Sequence, residues 1–349
     1  MVISRTPFRI SFFGGGTDYP AWYRQHGGAV LAATINKYCY LSCRYLPPFF
    51  EHRIRVVYSK IEDCKAIDEI AHPAVRGILR FLKFDRGLEV HHDGDLPGRS
   101  GMGSSSAFTV GLLHGLYALR GQVVSKQQLA RESIHIEQEI LQETVGSQDQ
   151  VCAAYGGLNQ IHFHQNGDVT VQPITLAPER LRRFNAHLML FYTGIKRTAS
   201  DVAASYVSGL EAKAGQFKLM KELLDESLKI LSAGKSLAGF GELLHRAWEA
   251  KRSLSGKVSN AQVDAYYESA RAAGALGGKL LGAGGGGFLL LFVTPTRQAE
   301  VRRSLSRLIE VPFEFEFSGS QIIFFDPEED YTAHERARDR QELEAFREL

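Results

Sequence analysis
From Val2 to Phe13 apolar and polar residues alternate, and the run breaks at Gly14-Gly15-Gly16. A period of two predicts a first strand ending in a glycine turn. Residues 29–43, with Ile35, Tyr38, Tyr40 and Leu41, predict a second strand rich in β-formers. Shorter strands are expected at 54–58 and 88–92, on either side of a helical pattern at 74–84. Phe108, Leu112, Leu116 and Leu119 recur at helical spacing and predict a helix over 105–119. Another helix is expected over 126–141. After Gly156-Gly157, the pair Asn166-Gly167 marks a hairpin turn.

Residues 173–183 read as the crossing between two halves. An apolar strand at 187–192 follows, then two or three helices within 200–253 and one near 261–273. A strand (288–293), a helix (297–309) and two strands (312–317 and 321–325) are expected to close the second half. The fold class is therefore α+β with two lobes, residues 1–180 and 181–349. The charge-dense tail after Asp326 carries helix formers from Ala333 onward and reads as a solvated helix.

Composition narrows the function classes. Hydrophobic residues make up 44% and charged residues 23% of 349, enough apolar material for a packed core. Lys+Arg 41 against Asp+Glu 39 leaves +2, which offers no basic field for nucleic acid. The longest apolar run, at 288–293, is far below the roughly 20 residues of a membrane span. Arg5 and Arg9 interrupt any apolar signal core, so a cytoplasmic chain is expected. Cys39, Cys43, Cys64 and Cys152 show no C-x-x-C spacing and read as buried thiols.

Glycine is the outlier. Thirty-four glycines stand against about 24 expected from a usage of roughly 7%. Thirteen fall in three clusters: 14–16; Gly98, Gly101 and Gly103; and Gly277, Gly278, Gly282 and 284–287. The middle cluster, Pro97-Gly98-Arg99-Ser100-Gly101-Met102-Gly103-Ser104-Ser105-Ser106, leads into the long helix. Glycines let backbone N–H groups turn toward a ligand, and a helix N-terminus favours an anion, so this segment reads as a phosphate cradle.

Three other motifs fail. A Walker loop at Gly278-Lys279 would need Gly at 273 and Ser or Thr at 280, where Ala273 and Leu280 stand. Gly282-x-Gly284-x-x-Gly287 fits the dinucleotide pattern by letter but runs into a strand instead of a helix. Gly103-Ser104-Ser105-Ser106-Ala107 lacks both the final glycine and the preceding strand of a nucleophile elbow. Among acids, Glu137 and Asp149 stand twelve apart around the loop 144–148, and could serve a metal and a substrate hydroxyl. Glu137 also fits the exposed face of an acidic helix with Glu132, Glu139 and Glu143.

The order Pro7-Phe8-Arg9-Ile10-Ser11-Phe12-Phe13-Gly14-Gly15-Gly16-Thr17-Asp18-Tyr19, then 97–107, then 279–288, resembles the three motifs of the GHMP-type small-molecule kinases over nearly the whole chain. Within that family, Gly-Gly-Gly before Thr-Asp-Tyr most resembles the heptose 7-phosphate kinases. L-fucokinase and other sugar-1-kinases share much of the same motif. The resemblance implies a first lobe like ribosomal protein S5 domain 2 and a ferredoxin-like second lobe, with ATP, Mg²⁺ and a sugar phosphate meeting between them. A homodimer is compatible with it.

Position by position, it places Pro97, Gly98, Gly101, Met102, Gly103, Ser104, Ser105 and Ser106 around ATP, and Ser105 and Glu137 on Mg²⁺. It makes Asp149 the catalytic aspartate and Arg9 its partner. Gly15, Gly16, Thr17, Asp18 and Tyr19 would hold the sugar, and Gly285 and Gly286 would support the centre from the third motif. Arg99 stands where small residues are commoner. The substrate's own phosphate is expected at Lys196 and Arg197, cations at a helix start where only an anion would offset the dipole. A non-catalytic sugar sensor would have lost Glu137 or Asp149, and both are present. A mevalonate-type decarboxylase is disfavoured by Thr17-Asp18-Tyr19.

Overall fold
The computed structural model describes residues 1–195, 202–205, 209, 211–234, 236–327 and 331–338. The chain opens with β1 (Val2–Phe13), α1 (Pro20–His26), β2 (Gly28–Tyr45), β3 (Ile54–Val57), β4 (Ile61–Cys64), α2 (Pro73–Phe81) and β5 (Leu88–Gly94). Next come α3 (Ser104–Leu119), α4 (Lys126–His135), a π-helical turn (Ile136–Ile140), α5 (Gln148–Tyr155), β6 (Leu158–Phe163) and β7 (Val169–Pro173). The second lobe holds α6 (Pro178–Ala186), β8 (Leu188–Tyr192), α7 (Ala214–Ser232), α8 (Ala238–Arg252), α9 (Ala261–Ala272), β9 (Ala275–Leu280), β10 (Phe288–Val293), α10 (Gln298–Ser304) and β11 (Ile309–Glu310). Finally, β12 (Phe315–Glu316), β13 (Gln321–Phe325) and α11 (Thr332–Arg338) complete the chain.

The long strand β2 organises the first sheet. One edge pairs antiparallel with β1, from Val2 opposite Cys43 to Phe13 opposite Leu31. The other edge takes β6, β12 and β5 in succession. The β1 register shifts after Pro7, which has no N–H to give a ladder, so a bulge there sacrifices no donor. The Asn166-Gly167 turn joins β6 and β7 as expected.

The second sheet is antiparallel in the order β11-β8-β10-β9. β10 is buried at all six positions because both of its faces are covered. Phe288, Leu290 and Phe292 enter the main core, while Leu289, Leu291 and Val293 face Trp248 and Tyr267. Phe12, Phe184, Phe240 and Phe292 make an aromatic cluster that joins the lobes, with Phe12 and Phe240 centroids 5.6 Å apart at 77°. Such edge-on pairs add to area burial because ring edges are positive and faces negative. All four cysteines are buried and none forms a disulfide.

Two expectations change. The closing strands do not belong to the second lobe: β13 pairs with the outer edge of β1, and β12 with β2. Alternation identifies a strand but not its partner; here Arg5 donates to Gln321 Oε1 at 2.7 Å, and the Met1 amine reaches Asp326 O at 2.7 Å. The predicted helix 126–141 ends as α4 at His135 and continues as the π turn, which carries Glu137. No described helix is long and apolar enough to cross a membrane.

Candidate active site
A cleft of about 370 Å³ lies where β1, the start of α3, the loop before α5 and the third glycine cluster converge. A second cavity of similar size, about 430 Å³, is lined by Tyr45, Phe84 and Arg120, and none of the three glycine clusters borders it. Chemistry, not volume, selects the cleft.

Its floor is backbone. Gly103, the N-cap of α3, is left-handed (φ 75°) and gives no side-chain cap, so the first-turn N–H groups of Ser104, Ser105 and Ser106 lack intrahelical acceptors. They point an electropositive helix end into the cleft. Gly101 and Gly282 hold the second and third clusters together. A Cβ on Gly101 would stand 2.7 Å from Leu281 O, and one on Gly282 would stand 2.5 Å from Gly101 Cα. Both have positive φ, so a side chain there is excluded twice over.

β1 delivers Arg9, 4% exposed, to the same point. Its Nε and Nη2 donate to Asp149 Oδ1 and Oδ2 at 2.7 and 2.6 Å, and Nη1 donates to Gly101 O at 2.6 Å. This bidentate fork fixes both side chains. Asp149 comes from the first turn of α5 and lies beside Gly103. Asp18 is 1% exposed; its carboxylate accepts from Gly16 N at 2.8 Å and Gln148 N at 3.4 Å. Burial raises its pKa, opposed by those amides. Gly146 makes room for it, since a Cβ there would collide with the Asp18 carboxylate.

Glu137 is fully buried one layer behind the cleft. Its Oε2 accepts from Ser106 Oγ at 2.8 Å and Gln150 Nε2 at 2.5 Å, and its Oε1 has no partner. Burial pushes its pKa up to about 7. An orphaned buried carboxylate oxygen is costly unless a cation or donor meets it, and Ser106 ties it to the helix start where Ser105 is exposed to the cleft. These residues fit a divalent ion.

The remaining expected residues are placed unevenly. Gly15, Gly16, Asp18, Tyr19, Gly101, Gly103, Ser104, Ser105 and Ser106 line the cleft; Pro97, Gly98, Thr17, Met102, Gly285 and Gly286 do not. Thr17 donates to Gly14 O and holds the first glycine turn, and Met102 is fully buried. Gly285 and Gly286 pack on the backbones of Val258 and Ile195. Lys196 and Arg197 lie outside the described residues. Arg99 does reach the cleft, in a left-handed conformation (φ 58°).

Among the cleft residues that carried no assigned role are Ser11, Glu143, Gln148, Lys251 and Lys279. For Lys251 the signal was legible, since it falls on the buried stripe Leu244, Ala247, Trp248 of α8.

The fold and cleft are those of a GHMP kinase. Residues 69–157 match the GHMP kinases N terminal domain and 214–310 the GHMP kinases C terminal domain, and the chain belongs to this family. GHMP kinases use ATP, typically with Mg²⁺. More particularly, the chain is 28% identical over 318 residues to D-glycero-alpha-D-manno-heptose 7-phosphate kinase of Campylobacter jejuni, covering 87% of this chain and 93% of that one. It is similar in structure to a D-glycero-D-manno-heptose 1-phosphate kinase from Bacteroides thetaiotaomicron (TM-score 0.76, 25% identity, 93% and 100% of the two chains). A Bacteroides fragilis L-fucokinase/L-fucose-1-P guanylyltransferase is 27% identical over 343 residues, and the chain spans 35% of its length.

Proposed function
We propose that this sugar kinase transfers the γ-phosphoryl group of ATP to the anomeric hydroxyl of D-glycero-D-manno-heptose 7-phosphate. The product is the 1,7-bisphosphate, on the route to GDP-heptose, made in the cytoplasm. The observation that carries the reading is the Arg9–Asp149 fork, set between the N-terminus of α3 and the buried Asp18 in one cleft.

Phosphoryl transfer needs positioning and charge neutralisation more than covalent help. The first-turn amides of α3 and the glycines at 101 and 103 hold the ATP phosphates. Ser105 and Glu137 are the residues that would hold Mg²⁺, which when bound neutralises phosphate charge. Asp149, aimed by Arg9, accepts or orients the proton of the attacking hydroxyl. An anomeric hydroxyl is more acidic than an ordinary alcohol, so a carboxylate suffices. Asp18 and Gln148, whose buried Oε1 has no partner, grip the sugar's other hydroxyls.

Phosphorus NMR of reactions with ATP-Mg²⁺ and, in turn, heptose 7-phosphate, mannose, fucose and galactose tests the reading. An anomeric phosphate is expected with the heptose phosphate. Equal or better turnover of one of the other sugars would reassign the acceptor.

A further inference from the structure
The second-lobe side of the cleft, where Gly282 meets Gly101, holds two lysines that pair directly with no carboxylate among the described residues. Lys251 and Lys279 are 8% and 5% exposed and both line the cleft. Lys279 Nζ donates to Phe12 O at 3.0 Å; Lys251 Nζ donates to Leu280 O at 3.0 Å and Gly282 O at 2.5 Å. A protonated lysine has three donors, so one on Lys251 and two on Lys279 remain unspent. Neither lysine forms an ion pair among the described residues. The charged groups felt by the pair are Arg9 and Asp18, besides each other's effect on Lys251.

Two further observations point the same way. Ser11 follows Arg9 on the same face of β1, lines the cleft, is 5% exposed, and its Oγ has no hydrogen-bond partner. Gly15, on the cleft floor beside it, has no steric need to be glycine. Its φ is ordinary, and a Cβ would meet only Ser11 Oγ at 3.6 Å and Gln148 Nε2 at 3.9 Å. What its missing side chain leaves is room.

Burying two cations in one cleft with no direct ion-pair partner, only the field of Asp18, is expensive. Burial accordingly lowers the Lys279 pKa to about 7 and that of Lys251 well below the usual range. A dianion seated between them would reverse that penalty, and Ser11 would supply a further donor.

We infer that Ser11, Lys251 and Lys279, above the open floor at Gly15, form the receptor for a phosphate ester carried by the acceptor sugar. This deepens the proposed function and rests on it for the identity of the sugar. It is a different site from the one expected at Lys196 and Arg197, which lie outside the described residues.

Calorimetric titration with heptose 7-phosphate, and with the same heptose lacking its phosphate, reads the site without turnover. Wild type is expected to prefer the phosphorylated sugar, and Lys251→Met to lose that preference by tenfold to a hundredfold, the range of a charge-assisted hydrogen bond. Ser11→Ala, a milder change that leaves the lysine contacts in place, is expected to lose it severalfold. KM for ATP should stay within twofold in Ser11→Ala, which leaves the Lys251 contact with Gly282 in place. An unchanged preference in both variants, no preference in wild type, or a Ser11→Ala loss expressed in KM for ATP would overturn the receptor. Failure of the proposed function reads differently, as tight phosphate-dependent binding with no anomeric phosphate formed.

Discussion
The two walls of the cleft handle charge in opposite ways. On the first-lobe wall Arg9 is locked to Asp149 by two hydrogen bonds, and Asp18 is wrapped by backbone amides. On the second-lobe wall Lys251 and Lys279 hydrogen-bond to carbonyls, and Lys251 also lies 6.0 Å from the centre of the Trp248 ring. A paired charge is already in its working geometry before a ligand arrives. An unpaired buried cation holds binding energy that only a ligand can release. On the proposed function, the first wall serves the transfer and the second serves recognition.

The largest expected effect breaks the first wall. Asp149→Asn should cut kcat by about two to four orders of magnitude, the range for loss of a general base, with KM for the sugar changing far less. Steady-state kinetics with a circular-dichroism check of folding reads it.

Next comes Glu137, where function and stability oppose each other. Its folded pKa of about 7 exceeds the ordinary 4.5. The ligand-free fold thus holds a proton the unfolded chain has lost, and stability falls as pH rises from about 4.5 through about 7. Glu137→Gln should flatten that slope and raise Tm at pH 8 without Mg²⁺, while reducing activity by about tenfold to a hundredfold if it supports the proposed metal site, the range for residues that orient metal ligands. Thermal melts across pH and a magnesium titration of activity give the two readings.

Gly282→Ala should cost about 1–3 kcal/mol, because it forces a side chain into positive φ and against Gly101. A drop in Tm accompanied by weaker ATP binding would show that the two glycine clusters act as one unit. The smallest effect concerns Lys279. Its pKa of about 7 lies below the ordinary 10.5, so stability falls as pH drops from about 10.5 to about 7. Lys279→Met should remove that slope, measured by denaturant melts at pH 7 and pH 10.

The first wall was legible in the sequence and most of the second was not. Arg9, Asp18 and Asp149 sit in dense local motifs, where glycine and polar residues interrupt an apolar rhythm. β1 and the helix 105–119 could be outlined for the same reason. Lys251 shows in the sequence only as a cation on the apolar stripe of a helix, and what brings it to the cleft is which strand that helix packs against. Likewise the strands at 315–316 and 321–325 were visible as strands, but their return to β2 and β1 depends on contacts some 280 to 320 residues away in sequence. Glycine spacing suggested ligand contact at every cluster; the structure shows that Gly101 and Gly282 are needed first for each other.

The division between transfer and recognition is tested most directly by measuring kcat and KM for heptose 7-phosphate in Asp149→Asn and Lys251→Met side by side. The expected result is a loss confined chiefly to kcat in the first and to KM in the second. A Lys251→Met enzyme that keeps its KM and loses kcat, or an Asp149→Asn enzyme that turns over at the wild-type rate, would contradict it.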